Sequence, residues 1–160
     1  MYRIMQDEDY RLITDAILSN REFNKLKSEN HHVTCSRYDH VVTVSQYTYY
    51  LAKMLKMDTI SATRAALLHD FFYNSKSNKK DVKTLVSHPE IALINARKHF
   101  EINEMEANII TSHMYPFCKS MPKYKESWLV NIVDNFVSFI EYGYRLRRVA
   151  QIAMVLLIKF

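Results

Sequence analysis

Apolar residues recur at intervals of three and four along most of the chain, a spacing that is typical of helices with one buried face. We predict helices over residues 8–18, 20–27, 37–56, 60–72, 89–100, 103–113 and 124–142. Asn20, Asp58 or Thr59, and Asn103 stand where helix N-caps are expected, and Pro89 suits a first helical turn. The segment 28–36 has no period, and we predict a loop there.

The segment 60–72 is apolar nearly all round, so we expect its helix to be the central one. The chain contains one Gly and three Pro in 160 residues, which disfavours hairpins and tight strand turns. We therefore predict an all-α, single-domain helical bundle over residues 1–160. Its core covers about 31–142, with packing helices over 1–30 and a docking helix over 143–160.

The tail 149–160 is apolar apart from Gln151 and Lys159. It is too short to span a bilayer, which takes about 20 residues. We therefore expect no membrane span, and we interpret the tail as a docking helix or as a contact in a homo-oligomer.

The formal charge of +5 comes from Lys and Arg scattered along the chain. Neither local cluster, at 76–83 or at 145–148, carries interleaved aromatic residues, so we expect no nucleic-acid partner. A mildly basic surface suits an anionic small-molecule substrate instead. Cys35 and Cys118 are too few for a disulfide framework, and no cationic and apolar leader opens the sequence, so we expect a reducing cytoplasm.

His69 and Asp70 stand together inside an apolar run. Burying an ionised carboxylate without a partner costs roughly several kcal/mol of free energy. We therefore expect a cation to compensate the charge of Asp70. Imidazole and carboxylate ligands together suit Zn, Mn, Fe or Ni. Asp134 is an acid in the middle of a helix that is apolar on most sides, and it too needs a partner.

Three further histidines each have an ordinary structural explanation. His40, one turn after Arg37, can be a histidine at the edge of the core beside a surface arginine. His88 precedes Pro89 and can cap a helix, and His113 continues an apolar row and can be a hydrogen-bonded core residue.

Taken together, these residues form an ordered series on different predicted helices: His40, His69-Asp70, His88, His113 and Asp134. Over about residues 31–142 the sequence resembles the HD-domain superfamily of metal-dependent phosphohydrolases. The resemblance implies an all-α fold in which His40, His69, Asp70 and Asp134 bind a first metal. His88 and His113 match the binuclear branch, in which Asp70 would bridge two divalent transition metals, Fe, Mn, Ni or Zn.

The resemblance also implies a reaction and a substrate class. Arg37 matches a position where some members hold a substrate anion, and Lys125 is a candidate second anion ligand, with simple solvation as its alternative. The expected reaction is hydrolysis of a phosphate ester, whether phosphomonoester, nucleotide or phosphodiester, by a metal-bound hydroxide, with Asp70 and Arg37 as catalytic residues. The expected partner is thus an anionic, phosphorylated small molecule.

Two differences from the motifs of known subfamilies reduce the range of expected substrates. Phe71-Phe72-Tyr73 follows the His-Asp pair where cyclic-di-nucleotide phosphodiesterases of the longer signature have Gly and Lys. The Glu-Asp pair of alarmone hydrolases is also missing, so both of these substrates are disfavoured. Two alternatives stay open: a diiron oxygenase with the same ligand types, and a ligand-binding module of this fold without turnover.

Overall fold

The computed structural model describes residues 7–32, 35–73 and 82–158, with side chains over 7–29, 36–73 and 87–143. The helices are α1 Glu8–Leu18, α2 Arg21–Asn24, α3 Arg37–Met54, α4 Thr59–Leu68, α5 Val82–His99, α6 Glu104–Ser112 and α7 Lys125–Ile158. A 3₁₀ turn covers Lys25–Ser28, and a small antiparallel ribbon joins β1 Asn30–His32 to β2 Cys35–Ser36. The predicted all-α fold is confirmed.

Helix α4 lies at the centre of the bundle, as its composition predicted. It packs against α1, α3, α5, α6 and α7. Ala62, Ala65, Ala66, Leu67 and Leu68 are all fully buried. Because three of these five side chains are alanine, neighbouring helices can approach α4 closely, and its C-terminal end reaches the middle of the protein.

The helix starts follow the cap residues. Asn20 caps α2, and Asp58 rather than Thr59 caps α4, where its carboxylate accepts a hydrogen bond from the Ser61 amide at 3.0 Å. Asn103 and Glu106 form a capping box at α6. Each of these side chains satisfies a backbone amide that has no partner within its helix.

Some predicted boundaries were wrong. Helix α4 ends at Leu68 instead of 72, so His69 is its C-cap and Asp70 lies outside it. The predicted helix 20–27 is split into α2 and the 3₁₀ turn. The predicted loop 28–36 contains the β1–β2 ribbon, with Asn30 paired to Ser36, a two-strand contact too short to produce a periodic pattern.

The largest differences concern α5 and α7. Helix α5 begins at Val82, so Pro89 lies inside it and His88 does not stand at a helix N-terminus. A proline inside a helix removes one backbone hydrogen bond, which the rest of the helix can tolerate, whereas our interpretation placed it in the first turn. Helix α7 continues without a break past residue 142, so the segment 143–158 is its extension. Whether that segment docks stays a prediction.

Among the described residues, no helix combines the length and the apolar character needed to cross a membrane.

Candidate metal centre

Six polar side chains from five helices or their ends converge in the interior. Each is at most 7% exposed. Helix α3 supplies His40, the end of α4 supplies His69 and Asp70, α5 supplies His88, the end of α6 supplies His113, and α7 supplies Asp134. The structure therefore brings together all six residues that the sequence singled out as metal ligands.

The first group consists of His40, His69 and Asp134. The Nε2 atom of His40 lies 3.0 Å from Oδ1 of Asp134, and Nε2 of His69 lies 3.6 Å from the same oxygen. The two imidazole rings meet edge to face, with centroids 5.5 Å apart. One ligand atom from each of the three side chains lies within 4.8 Å of the others, the size of a single cation site.

The second group lies next to the first and shares His69. Its other members are Asp70 and His113, again with ligand atoms within 4.8 Å of one another. His88 joins them, because its Nε2 lies 3.2 Å from Oδ1 of Asp70 and 3.0 Å from Nε2 of His113. Two adjacent triads that share a histidine are compatible with two neighbouring cations.

Backbone carbonyls orient two of the histidines. Nδ1 of His69 donates to the carbonyl of Ala66 at 2.7 Å, and Nδ1 of His113 donates to the carbonyl of Ile110 at 2.8 Å. Since both histidines are helix C-caps, each ring bonds the carbonyl three residues before it. The proton on Nδ1 leaves the Nε2 lone pair facing the cluster, as a metal ligand requires.

The Nε2 atom of His69 gives the strongest evidence for a cation site between these side chains. The atom is buried and has no hydrogen-bond partner among the described residues. A buried nitrogen lone pair without a partner is costly, and a cation would satisfy it. The ligand set of imidazole nitrogens and carboxylate oxygens fits a divalent transition metal.

The electrostatics show how the side chains balance one another. Burial alone would raise the pKa of Asp134, but the hydrogen bond from His40 and the nearby imidazole of His69 hold it well below the usual range. Burial lowers the pKa of His40, yet the hydrogen bonds with Asp134 and Glu141 outweigh it and raise that pKa to about 10. Burial, reinforced by His69, lowers the pKa of His113 to about 4. His113 is therefore neutral and able to bind a metal.

Our sequence analysis missed Glu141, a carboxylate that contacts the centre through His40. Both of its carboxylate oxygens lie 3.2 Å from Nδ1 of His40, so Glu141 hydrogen-bonds the ring nitrogen that faces away from Asp134. A carboxylate in this position fixes the orientation of a ligating histidine. The signal was its spacing, because Glu141 follows Asp134 by seven residues, which is about two turns along one helix face.

Arg37 is buried beside Asp70. Its Nε lies 3.8 Å from Oδ2 of Asp70, and its Nη1 donates to the carbonyl of Phe72 at 2.6 Å. The guanidinium lies 3.8 Å above the Phe72 ring, whose other stacking partner is His88. Arg37 is thus an interior part of the centre and not a surface ion pair. Our sequence analysis mentioned Phe72 only as a difference from the motif of cyclic-di-nucleotide phosphodiesterases. In the structure its ring lies against both Arg37 and His88 and so connects Arg37 to the second group.

Lys125 occupies a different place. It is the first residue of α7, its side chain is 62% exposed, and it lies 3.9 Å from a carboxylate oxygen of Glu126. The segment between Met114 and Lys125 is the loop that leads into α7. Part of it lines a groove of about 590 Å³ with Arg97 and Thr111, and none of the six clustered residues borders that groove.

Comparison with known families agrees with this geometry. A family model described as the HD domain matches residues 37–138, well over half of the chain. The chain belongs to the HD-domain family. The matched segment contains all six clustered residues and Arg37, and it ends three residues before Glu141. Comparisons with curated proteins and with solved structures give no significant match.

Members of the HD-domain family bind divalent metals, and most are metal-dependent hydrolases. In this HD domain the first triad and the second group are the residues that would hold such ions. Their burial, their inward-facing Nε2 atoms and the buried His69 nitrogen that lacks a hydrogen bond all fit that role.

Proposed function

We propose that this HD domain is a metal-dependent phosphohydrolase that cleaves a phosphate ester of an anionic small molecule. The observation that carries the proposal is the juxtaposition of two adjacent ligand groups with a buried arginine. Arg37 stands beside Asp70, a member of the second group that also contacts His88. Binuclear sites flanked by a guanidinium are suited to phosphate because both components stabilise negative charge.

Each residue then has a defined task. His40, His69 and Asp134 would hold one ion, and Asp70, His88 and His113 would hold the other, with Asp70 shared between the two. When bound, two divalent cations supply an activated water and neutralise charge on the phosphate. Arg37 binds an equatorial oxygen of the phosphate. Glu141 keeps the imidazole of His40 turned toward Asp134.

The orientation of the ligands supports preorganisation. The rings of His69 and His113 are fixed by carbonyl groups of their own helices, so they are in place before any substrate arrives. A site whose dipoles are already aligned stabilises developing charge without reorganising during the reaction. The positive formal charge of the chain is also favourable for an anionic substrate.

The test is a screen of generic phosphate esters and nucleotides after chelation and reloading with Mn, Ni, Zn or Fe under anaerobic conditions. We expect metal-dependent phosphate release that disappears in Asp70→Ala and persists in Asp15→Ala, an exposed acid on α1. Turnover that needs iron and oxygen and consumes oxygen in step with product would establish the oxygenase instead. If neither the anaerobic screen nor a repeat of it in air gives turnover at full metal occupancy, a binding module would be favoured.

A further inference from the structure

Helix α7 is apolar on two opposite sides. The side that faces the bundle carries Leu129, Val130, Val133 and Val137, all at most 8% exposed, together with Asp134. The other side carries an exposed stripe of Trp128, Ile132, Phe136, Phe139 and Tyr142, which are 41%, 61%, 55%, 76% and 49% exposed. Single exposed apolar side chains are ordinary, but a continuous row of five is typical of an interaction surface.

The spacing of the exposed stripe continues in the sequence of α7 after residue 143. From Ile132 onward, apolar or small residues recur at alternating steps of four and three: Ile132, Phe136, Phe139, Gly143, Leu146, Ala150, Ala153 and Leu157. All of these positions lie within α7, which runs unbroken to Ile158. This is the seven-residue repeat by which one helix presents a seam to another helix.

Gly143 adds an independent observation. It is the single glycine of the sequence, and it lies inside a helix, where glycine is less favourable than alanine. A Cβ atom at this position would meet nothing within 4 Å, so the described fold gives no reason for a glycine here. Glycine on the seam of a helix lets the backbone of a second helix approach closely.

We propose that a second copy of this chain packs along the exposed stripe of α7, with the two helices closest at Gly143. The repeat makes the surface self-complementary, as a twofold interface requires. With aromatic side chains at ~150–250 Å² each, the exposed stripe offers about 500 Å² per partner. Two copies would therefore bury about 1,000 Å² in total, the lower end of specific interfaces.

A lipid surface is the competing occupant. Peripheral membrane helices depend on buried apolar area and on cations that attract anionic lipids. They require neither a seven-residue repeat nor a glycine at the centre of the apolar face. Over residues 125–158, α7 carries four cationic and three acidic residues, a net charge of +1, which gives little attraction to an anionic bilayer. The repeat and the glycine therefore favour a helix of another chain.

Sedimentation velocity of the full chain over a wide concentration range tests the proposal. We expect twice the chain mass of 19.0 kDa for the unmodified protein. Phe136→Glu should raise the dissociation constant at least about tenfold, because it places a charge at the centre of the seam. Leu12→Glu, at a residue that is 80% exposed on α1, is the matched control and should leave the dimer intact.

Gly143→Trp separates dimerisation from folding. Since the position is open within one chain, thermal unfolding of the monomer should be unchanged, while the dimer should weaken at least about tenfold. A second arm uses Gly143→Cys in a chain with both native cysteines changed to serine, and oxidation should then produce a covalent dimer. This proposal does not depend on the enzymatic one, because neither variant touches a clustered residue.

Two results would overturn it. One is an unmodified chain that stays monomeric at all concentrations, or a dimer that survives both stripe variants. The other is a monomer that co-sediments with phosphatidylserine and phosphatidylcholine vesicles and loses that binding in Phe136→Glu, which would assign the surface to a membrane.

Discussion

Asp70 is the residue whose loss should empty both halves of the centre, because it contacts His88 and His113 and directly follows His69, which both groups share. Asp70→Ala should cost both metals, whereas His88→Ala should weaken chiefly the second. Elemental analysis of protein purified without chelator measures this, with more than one equivalent of transition metal per chain expected for the unmodified protein. Retention of both ions by Asp70→Ala would contradict the assignment.

Glu141 acts through His40, so its removal should loosen metal binding without abolishing it. We expect Glu141→Ala to weaken the affinity for the first metal by about 10–100-fold, the usual cost of losing a partner that orients a ligand. Glu141→Gln should do less, since an amide oxygen can still accept from Nδ1 of His40. Competition with a chromophoric chelator measures both. Glu8→Ala, an exposed acid on α1, should have no effect.

Arg37→Lys distinguishes a substrate contact from a structural one. Lysine keeps the positive charge beside Asp70 but loses the planar fork that binds phosphate through two nitrogens. We expect kcat/KM to fall about tenfold or more, which corresponds to at least about 1.4 kcal/mol of transition-state binding. Metal content and thermal stability should be measured in parallel. Unchanged kinetics in a folded, metal-loaded variant would count against this role.

At the scale of the element, α4 carries the strongest packing in the bundle. Leu67 is fully buried there, so Leu67→Ala should lower the free energy of unfolding by about 2–5 kcal/mol through lost burial and a cavity. Denaturant titration followed by circular dichroism measures it. Leu12→Ala, at a largely exposed position on α1, should stay within about 0.5 kcal/mol.

The elements also show what sequence patterns can and cannot predict. The apolar spacing located α1, α3 and α6, and the nearly continuous apolar run located α4. Asn20 and Asn103 correctly marked the starts of α2 and α6. The start of α5 could not be predicted, since a proline inside a helix and a proline in its first turn look alike. His40 and Arg37 are both buried, although α3 alone suggested the edge of the core for His40 and the surface for Arg37.

At the scale of the whole molecule, the order of six residues predicted their convergence, because a ligand series is recognisable without any geometry. Glu141 could not be found that way, since one acid on a long helix resembles any solvated acid. The position of Phe72 in the centre could not be predicted for a related reason. Its role depends on its carbonyl and on two neighbours from other helices, and neither leaves a trace in its own sequence position.

Metal removal should destabilise the entire domain. An ion present at a hundred times its dissociation constant contributes about 2.7 kcal/mol to folding, if the unfolded chain does not bind it. Chelation should therefore lower Tm by about 5–10 °C for a chain of this length, measured by scanning calorimetry. Reloading with the native ion should restore it. A Tm indifferent to chelator would argue that the cluster binds no ion in the isolated protein.

The contact between His40 and Asp134 joins residues that are 94 positions apart. An ion held there closes a loop that contains most of the chain, so in topological terms it acts like a disulfide between distant cysteines. Unlike a disulfide, this link depends on the free metal concentration around the protein. Shortage of metal would consequently shorten the lifetime of the folded chain. The cellular level of the protein would then follow the metal supply, even where its catalytic activity is not limiting.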